Sequence, residues 1–153
     1  MAITKLVADS ITSGAIASTP AFRATRDSTQ TISVNTTTKI QYDDVSFDTD
    51  NCYDNSTNYR FTPGVAGKYV IGASAGTNAQ SDHNHLSVEI QKNGTAIAYN
   101  LDANQHLGVR NMTIIDEANT TDYYEVYIRQ DNGTDTTQAS AAVMYFWGHK
   151  IIE

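Results

Sequence analysis

The chain has 153 residues, one cysteine and a formal net charge of −7. That is enough chain for one domain with a proper core. The acidic balance argues against nucleic acid or an anionic membrane as partner, and a lone cysteine excludes an intrachain disulfide.

Met1–Thr19 is small and weakly apolar, with Ile3, Leu6, Val7, Ile11 and Ile16 spaced among Ser and Thr. The spacing is loosely helical, but Ser10, Thr12, Ser13 and Gly14 are poor helix formers, so the segment cannot fold alone. Two readings stand: a disordered tail, or an arm that orders on a partner, which gives those apolar residues a use. The second is favoured. Met1–Ala24 has no continuous apolar run of the kind a secretory signal needs, and no stretch reaches the length of a membrane span.

From residue 21 onward the pattern is short strands. Ala21–Thr25 opens the domain and Arg26-Asp27-Ser28 turns it. Gln30–Val34 and Thr38–Tyr42 alternate as half-buried strands do. Asp43–Asn58 reads as a long polar loop, pinned to the body by Phe47 and Tyr53. It is the most acidic region, and Asp48, Asp50 and Asp54 make it a candidate calcium site, although the spacing does not match the helix-loop-helix calcium motif. The alternative is a solvated acidic loop. Cys52 within it reads as a buried or half-buried thiol rather than a nucleophile, since no positioned base is suggested nearby.

Pro63-Gly64 presets a turn before a strand from Lys68 to Ala75. Tyr69, Val70 and Ile71 have high strand propensity, whereas Gly72–Gly76 is uniformly small and demands close approach by something else. Thr77–Asn84 is a loop containing His83; with His85 it forms a pair that would share one face of a strand, a weak candidate for a transition-metal site. Leu86, Val88 and Ile90 face one way; Asn93-Gly94 is a hairpin turn; Ile97, Tyr99 and Leu101 share a face on the return. Asp102–Gly108 is a loop, Arg110–Ile115 a strand, Asp116–Asp122 a turn. Tyr123–Arg129 is a strand with Tyr124, Val126 and Ile128 on one face. In the closing strand, Ala141–Ile151, Val143, Tyr145 and Trp147 take one face and Met144 and Phe146 the other, so both faces want cover. Short strands with turn signals every ~8–12 residues indicate an all-β sandwich or barrel.

Phe61-Thr62 followed by Gly67-Lys68-Tyr69 resembles the central motif of the complement component 1q globular head, among the tumour necrosis factor-like jelly rolls. Pro20–Ala24 is similar to the family's opening strand, Val88–Thr95 to its long strand and Asn-Gly turn, and Ala142–Ile152 to its closing strand. The Asn- and Thr-rich stretch FDTDNCYDNSTNYRFTPGVAG (47–67) is most similar to copies in tailed-bacteriophage virion proteins.

The resemblance implies an antiparallel jelly-roll sandwich at 21–153, assembled as a homotrimer, behind an anchoring arm at 1–20. In it, Tyr69, Ile71, Ala73, Met144, Tyr145, Phe146 and Trp147 form the core and the trimer interface, and Ile3, Leu6, Val7, Ile11 and Ile16 attach the arm to other virion proteins. The expected role is a non-enzymatic decoration, cement or short-fibre subunit on a virion surface, made without a signal peptide. The alternative is a receptor-binding tip for a host glycan or protein, with Tyr53, Tyr59, Tyr99, Tyr123 and Tyr127 as aromatic surface. A polysaccharide hydrolase would need a carboxylate pair that no spacing singles out. No cofactor is expected beyond the candidate calcium. The six Asn-x-Ser/Thr sequons read as a product of composition rather than as glycosylation sites.

Overall fold

The computed structural model describes residues 18–78, 85–102 and 108–151. Ile3, Leu6, Val7, Ile11, Ile16 and His83 lie outside the described residues. Among those described there are thirteen strands and no helix. In chain order they are β1 (Ala21–Thr25), β2 (Thr31–Ile32), β3 (Thr38–Lys39), β4 (Asp44–Asp48), β5 (Tyr53–Asp54), β6 (Arg60–Phe61) and β7 (Gly67–Gly76). There follow β8 (Leu86–Lys92), β9 (Thr95–Asp102), β10 (Val109–Ala118), β11 (Tyr124–Gln130), β12 (Asp135–Thr136) and β13 (Tyr145–Lys150).

They form two main antiparallel sheets, with β2 and β12 paired as a separate two-stranded one. One is ordered β10-β7-β13-β1-β4; the other is β5-β6-β11-β8-β9, with β3 also paired to β11. The first brings chain start and chain end together, because β1 pairs β13 and β13 pairs β7. The period-2 pattern then decides what lies between the sheets. Phe22, Ala24, Tyr69, Ile71, Ala73, Met144 and Phe146 enter the core from the first sheet; Leu86, Val88, Ile90, Tyr124, Val126 and Ile128 enter from the second, each at most 1% exposed.

Phe22 is the hub of the aromatic end of the core. Its ring stacks on Tyr53 at 4.9 Å and Phe61 at 4.5 Å, and meets Phe146 edge-on at 4.9 Å. Gly148 allows this: a Cβ there would sit 3.1 Å from Phe22 Cε1. Of the buried phenols, Tyr42 donates to Ser74 O at 2.9 Å and Tyr53 to Tyr42 O at 3.0 Å, while Tyr124 donates to the Asp116 carboxylate at 2.6 Å.

Several sequence expectations are corrected. Asp43–Asn58 is not one loop but contains edge strand β4 and short β5, paired to β1 and β6 respectively. A register shift in the β1–β4 pairing aligns Phe47 with Arg23, on the face turned away from the core. Tyr53 therefore pins this region, but Phe47 does not: it is 50% exposed. The strand expected at Arg110–Ile115 runs on to Ala118, because every residue of β10 pairs with β7. The closing strand begins at Tyr145, after a turn in which the Met144 and Val143 amides donate to Ser140 O.

Candidate functional site

Two outer faces carry side chains that the core does not explain. The first belongs to the β10-β7-β13-β1-β4 sheet. Register places Trp147 between Gly72 and Arg23, with Phe47 beyond Arg23; the adjoining rows carry Tyr145, and His149 beside Val70 and Ile115. Ile115 is 67% exposed, and Tyr145, Trp147 and His149 are half-buried. The small-residue stretch of β7 has a local purpose here. A Cβ on Gly72 would lie 2.3 Å from Trp147 Cε2, so the close approach comes from the neighbouring strand of the same chain. Trp147 stacks on His149 at 5.9 Å, and the Arg23 guanidinium sits over the Tyr145 ring at 5.7 Å. Arg23, Tyr145 and Trp147 line a depression of about 350 Å³.

Of the residues expected at the core and interface, Tyr69, Ile71, Ala73, Met144 and Phe146 lie in the core between the sheets. Only Tyr145 and Trp147 reach the outer face. None of Arg23, Phe47, Val70 and Ile115 was expected at this face from sequence: Phe47 was read as a pin to the body and Val70 as a strand former. Their signal is register across four strands, which a single-strand reading does not contain.

The acidic region is organised by hydrogen bonds to its own backbone. Asp48 accepts from the amides of Cys52 at 2.9 Å and Tyr53 at 3.0 Å, and from Cys52 Sγ at 3.1 Å. Asp54 accepts from the amides of Ser56, Thr57 and Asn58 and from Asn58 Nδ2. The amides of Thr57 and Ser56 hold the Asp54 carboxyl well below the usual carboxylate range. Asp50 accepts from Thr49 Oγ1 at 2.6 Å. Burial, then the bond to Asp48, pushes the Cys52 thiol far up, away from thiolate chemistry. His85 pairs its Nε2 with Ser87 Oγ at 3.1 Å, on a different sheet from Asp48. Among the described residues no three His, Cys, Asp or Glu side chains gather as a metal-binding group.

The second face belongs to β11-β8-β9. Outward positions of the three strands line up as Arg129–Ser87–Leu101 and Tyr127–Glu89–Tyr99. Ser87 is 7% and Glu89 8% exposed, whereas Tyr99 is 65% and Leu101 58%. Glu89 accepts from Gln91 Nε2, and Arg129 Nη2 donates to Asn35 Oδ1 at 3.0 Å. The Glu89 carboxylate raises the Tyr99 phenol above its ordinary range. Beside this row, Lys39 pairs with Glu125 at 2.6 Å and Tyr127 donates to Glu125 at 3.0 Å. Thr37, His85, Ser87, Glu89, Tyr99, Leu101 and Arg129 border a cavity of about 260 Å³. Tyr99 was named from sequence as aromatic surface; Ser87, Glu89 and Arg129 were not.

No protein-family model and no curated protein matches the chain by sequence. Solved structures do match in shape. The globular domain of zebrafish complement 1qA aligns over 88% of this chain and 99% of its own, with a TM-score of 0.64 at 15% identity. Murine APRIL at pH 5.0 aligns over 86% and 98%, with a TM-score of 0.67 at 7% identity. The Eiger TNF of S. frugiperda aligns over 87% and 92%, with a TM-score of 0.65 at 8% identity. The fold is therefore the antiparallel jelly roll shared by complement 1q and tumour necrosis factor proteins.

Proposed function

We propose that this protein is a non-enzymatic structural or binding jelly roll that assembles as a homotrimer through the outer face of its β10-β7-β13-β1-β4 sheet. One observation carries the reading: that face groups Trp147, Tyr145, His149, Val70, Phe47 and Ile115 around Arg23, with Lys68 and Glu117 at its margin. Contiguous aromatic and aliphatic surface of this kind marks an interface, and the centres of interfaces are enriched in Trp, Tyr and Arg. A threefold ring closes by heterologous contacts, so such a face set near the axis is covered by the neighbouring copies. The threefold number comes from the sequence resemblance.

The setting follows from the same resemblance. The Asn- and Thr-rich stretch at 47–67 and the weakly apolar segment Met1–Thr19 support a subunit on the surface of a tailed-bacteriophage particle. In this reading it is a decoration, cement or short-fibre protein whose arm, with Ile3, Leu6, Val7, Ile11 and Ile16, holds it to its neighbours. Three arms on one trimer add avidity where each binds weakly alone. Deleting Met1–Thr19 is expected to release the protein from particles while leaving the trimer intact. Truncated protein that still binds capsids contradicts the arm. The receptor-binding alternative draws on a different observation, the cavity on the opposite sheet. Soluble trimer that blocks infection supports it.

A further inference from the structure

Strand β9 has its polarity reversed. A register shift opposite Ile90 and Gln91 turns Ala98 and Asn100 inward, level with Ile90 and Val88, and turns Tyr99 and Leu101 to solvent. An edge strand covering a core does the opposite. Here the apolar residues instead wall a cavity whose floor is polar and buried. Glu89 has no ion-pair partner among the described residues, and it sits on β8, a strand paired on both sides.

The cavity's chemistry is specific. Glu89 offers carboxylate oxygens as acceptors. Arg129 is a donor only, and its bond to Asn35 uses one of its five N–H groups. Ser87 between them does both, with His85 Nε2 already on its Oγ and one further hydrogen-bonding direction left for a ligand. A ligand made of hydroxyl groups satisfies all three at once, because each hydroxyl donates and accepts. One apolar face on the same ligand matches the Tyr99 ring and Leu101. At about 260 Å³ the space falls just under the ~300–1,000 Å³ of sites for drug-sized molecules, which suits a single ring. The buried carboxylate and the net charge of −7 disfavour an anionic ligand.

We propose that the cavity bordered by Ser87, Glu89, Tyr99, Leu101 and Arg129 is a saccharide subsite that takes one neutral pyranose ring. Tyr99 and Leu101 stack on the ring's apolar face, Glu89 accepts from its hydroxyls, and Arg129 donates to them. The site lies on the sheet opposite the self-association face, so it is independent of the oligomeric state.

The test is a titration of the full-length protein, followed by amide chemical shifts, with glucose, galactose, mannose and N-acetylglucosamine separately, and with glucuronate as the charged comparison. At least one neutral sugar is expected to shift the amides of Ser87, Glu89, Tyr99 and Leu101 saturably. Glu89→Gln and Tyr99→Ala are each expected to weaken that binding by about tenfold or more. Tyr99 is exposed, so its variant keeps the fold, which its thermal midpoint verifies. No saturable response to any of the four sugars overturns the proposal. So does binding that both variants leave unchanged, or tighter binding of glucuronate than of any neutral sugar. Solution mass is unaffected by any of these outcomes, so a failed subsite and a failed trimer are told apart.

Discussion

Asp54 shows how single carboxylates organise this molecule. It accepts three consecutive backbone amides and so fixes the turn from β5 to β6. Asp122 does related work, accepting from the Asn119 amide at 2.8 Å and from Asn93 Nδ2 at 2.7 Å, which lowers its pKa. Both folded-state pKa values lie below the unfolded value of about 3.9. The stability they contribute is therefore complete above that value and is lost as pH falls through the folded-state pKa. Urea unfolding at pH 7 and pH 3, at one protein concentration, should show lower stability in acid. Asp54→Ala should narrow that gap and cost about 1–2 kcal/mol at pH 7; an unchanged gap counts against the assignment. The same hydrogen bonds bear on the calcium candidate. Asp48 and Asp54 already serve backbone donors, so EDTA is predicted to leave the melting temperature and mass unchanged, and a loss of either on chelation would return Asp48, Asp50 and Asp54 to the status of ligands. At Gly72, a methyl group would drive into the Trp147 indole. Gly72→Ala should cost about 1–3 kcal/mol in chemical unfolding and displace Trp147 from its seat. Wild-type stability with an unaltered tryptophan emission spectrum would refute that contact.

At the scale of elements, the strands that bury one face were legible. Leu86–Val88–Ile90 and Tyr124–Val126–Ile128 alternate in sequence and all six are core residues. The Asn93-Gly94 hairpin was legible for a backbone reason: the two residues take φ of 53° and 78°, which that dipeptide tolerates and most do not. Gly94→Val should therefore destabilise the β8–β9 hairpin by about 1–2 kcal/mol, and equal midpoints in urea would argue that this turn is not strained by a side chain. Strand β4 was not legible. Asp44 and Asp48 are poor strand formers, and it forms as an edge strand by pairing with β1. The exposure of Phe47 was missed for the same reason, since an isolated aromatic in a polar stretch says nothing of which face it takes. On β9 the alternation of Ile97, Tyr99 and Leu101 was visible, but its direction depends on a register shift against β8. Register between distant strands also decides that Trp147 meets Gly72. The two candidate sites were thus legible as residue types and illegible as neighbourhoods.

For the molecule as a whole, the two sheets divide the work. Their inner faces make a continuous core from β1 to β13. The outer face of one is aromatic and open; the outer face of the other is a polar cavity with apolar walls. The proposed self-association surface and the candidate ligand surface lie on opposite sheets, so copies joined by the first would display the second outward. Trp147→Asp places a charge at the centre of the aromatic face and should dissociate the assembly, since removing a central anchor costs about 2 kcal/mol or more per interface. Because Trp147 is half-buried rather than part of the core, the variant should dissociate without unfolding. The measurement that bears most directly on this account is the solution mass of the full-length protein by light scattering, run beside Trp147→Asp. Three times the chain mass is expected for the wild type and the single-chain mass, still folded, for the variant. A wild-type monomer across the concentration range would contradict it.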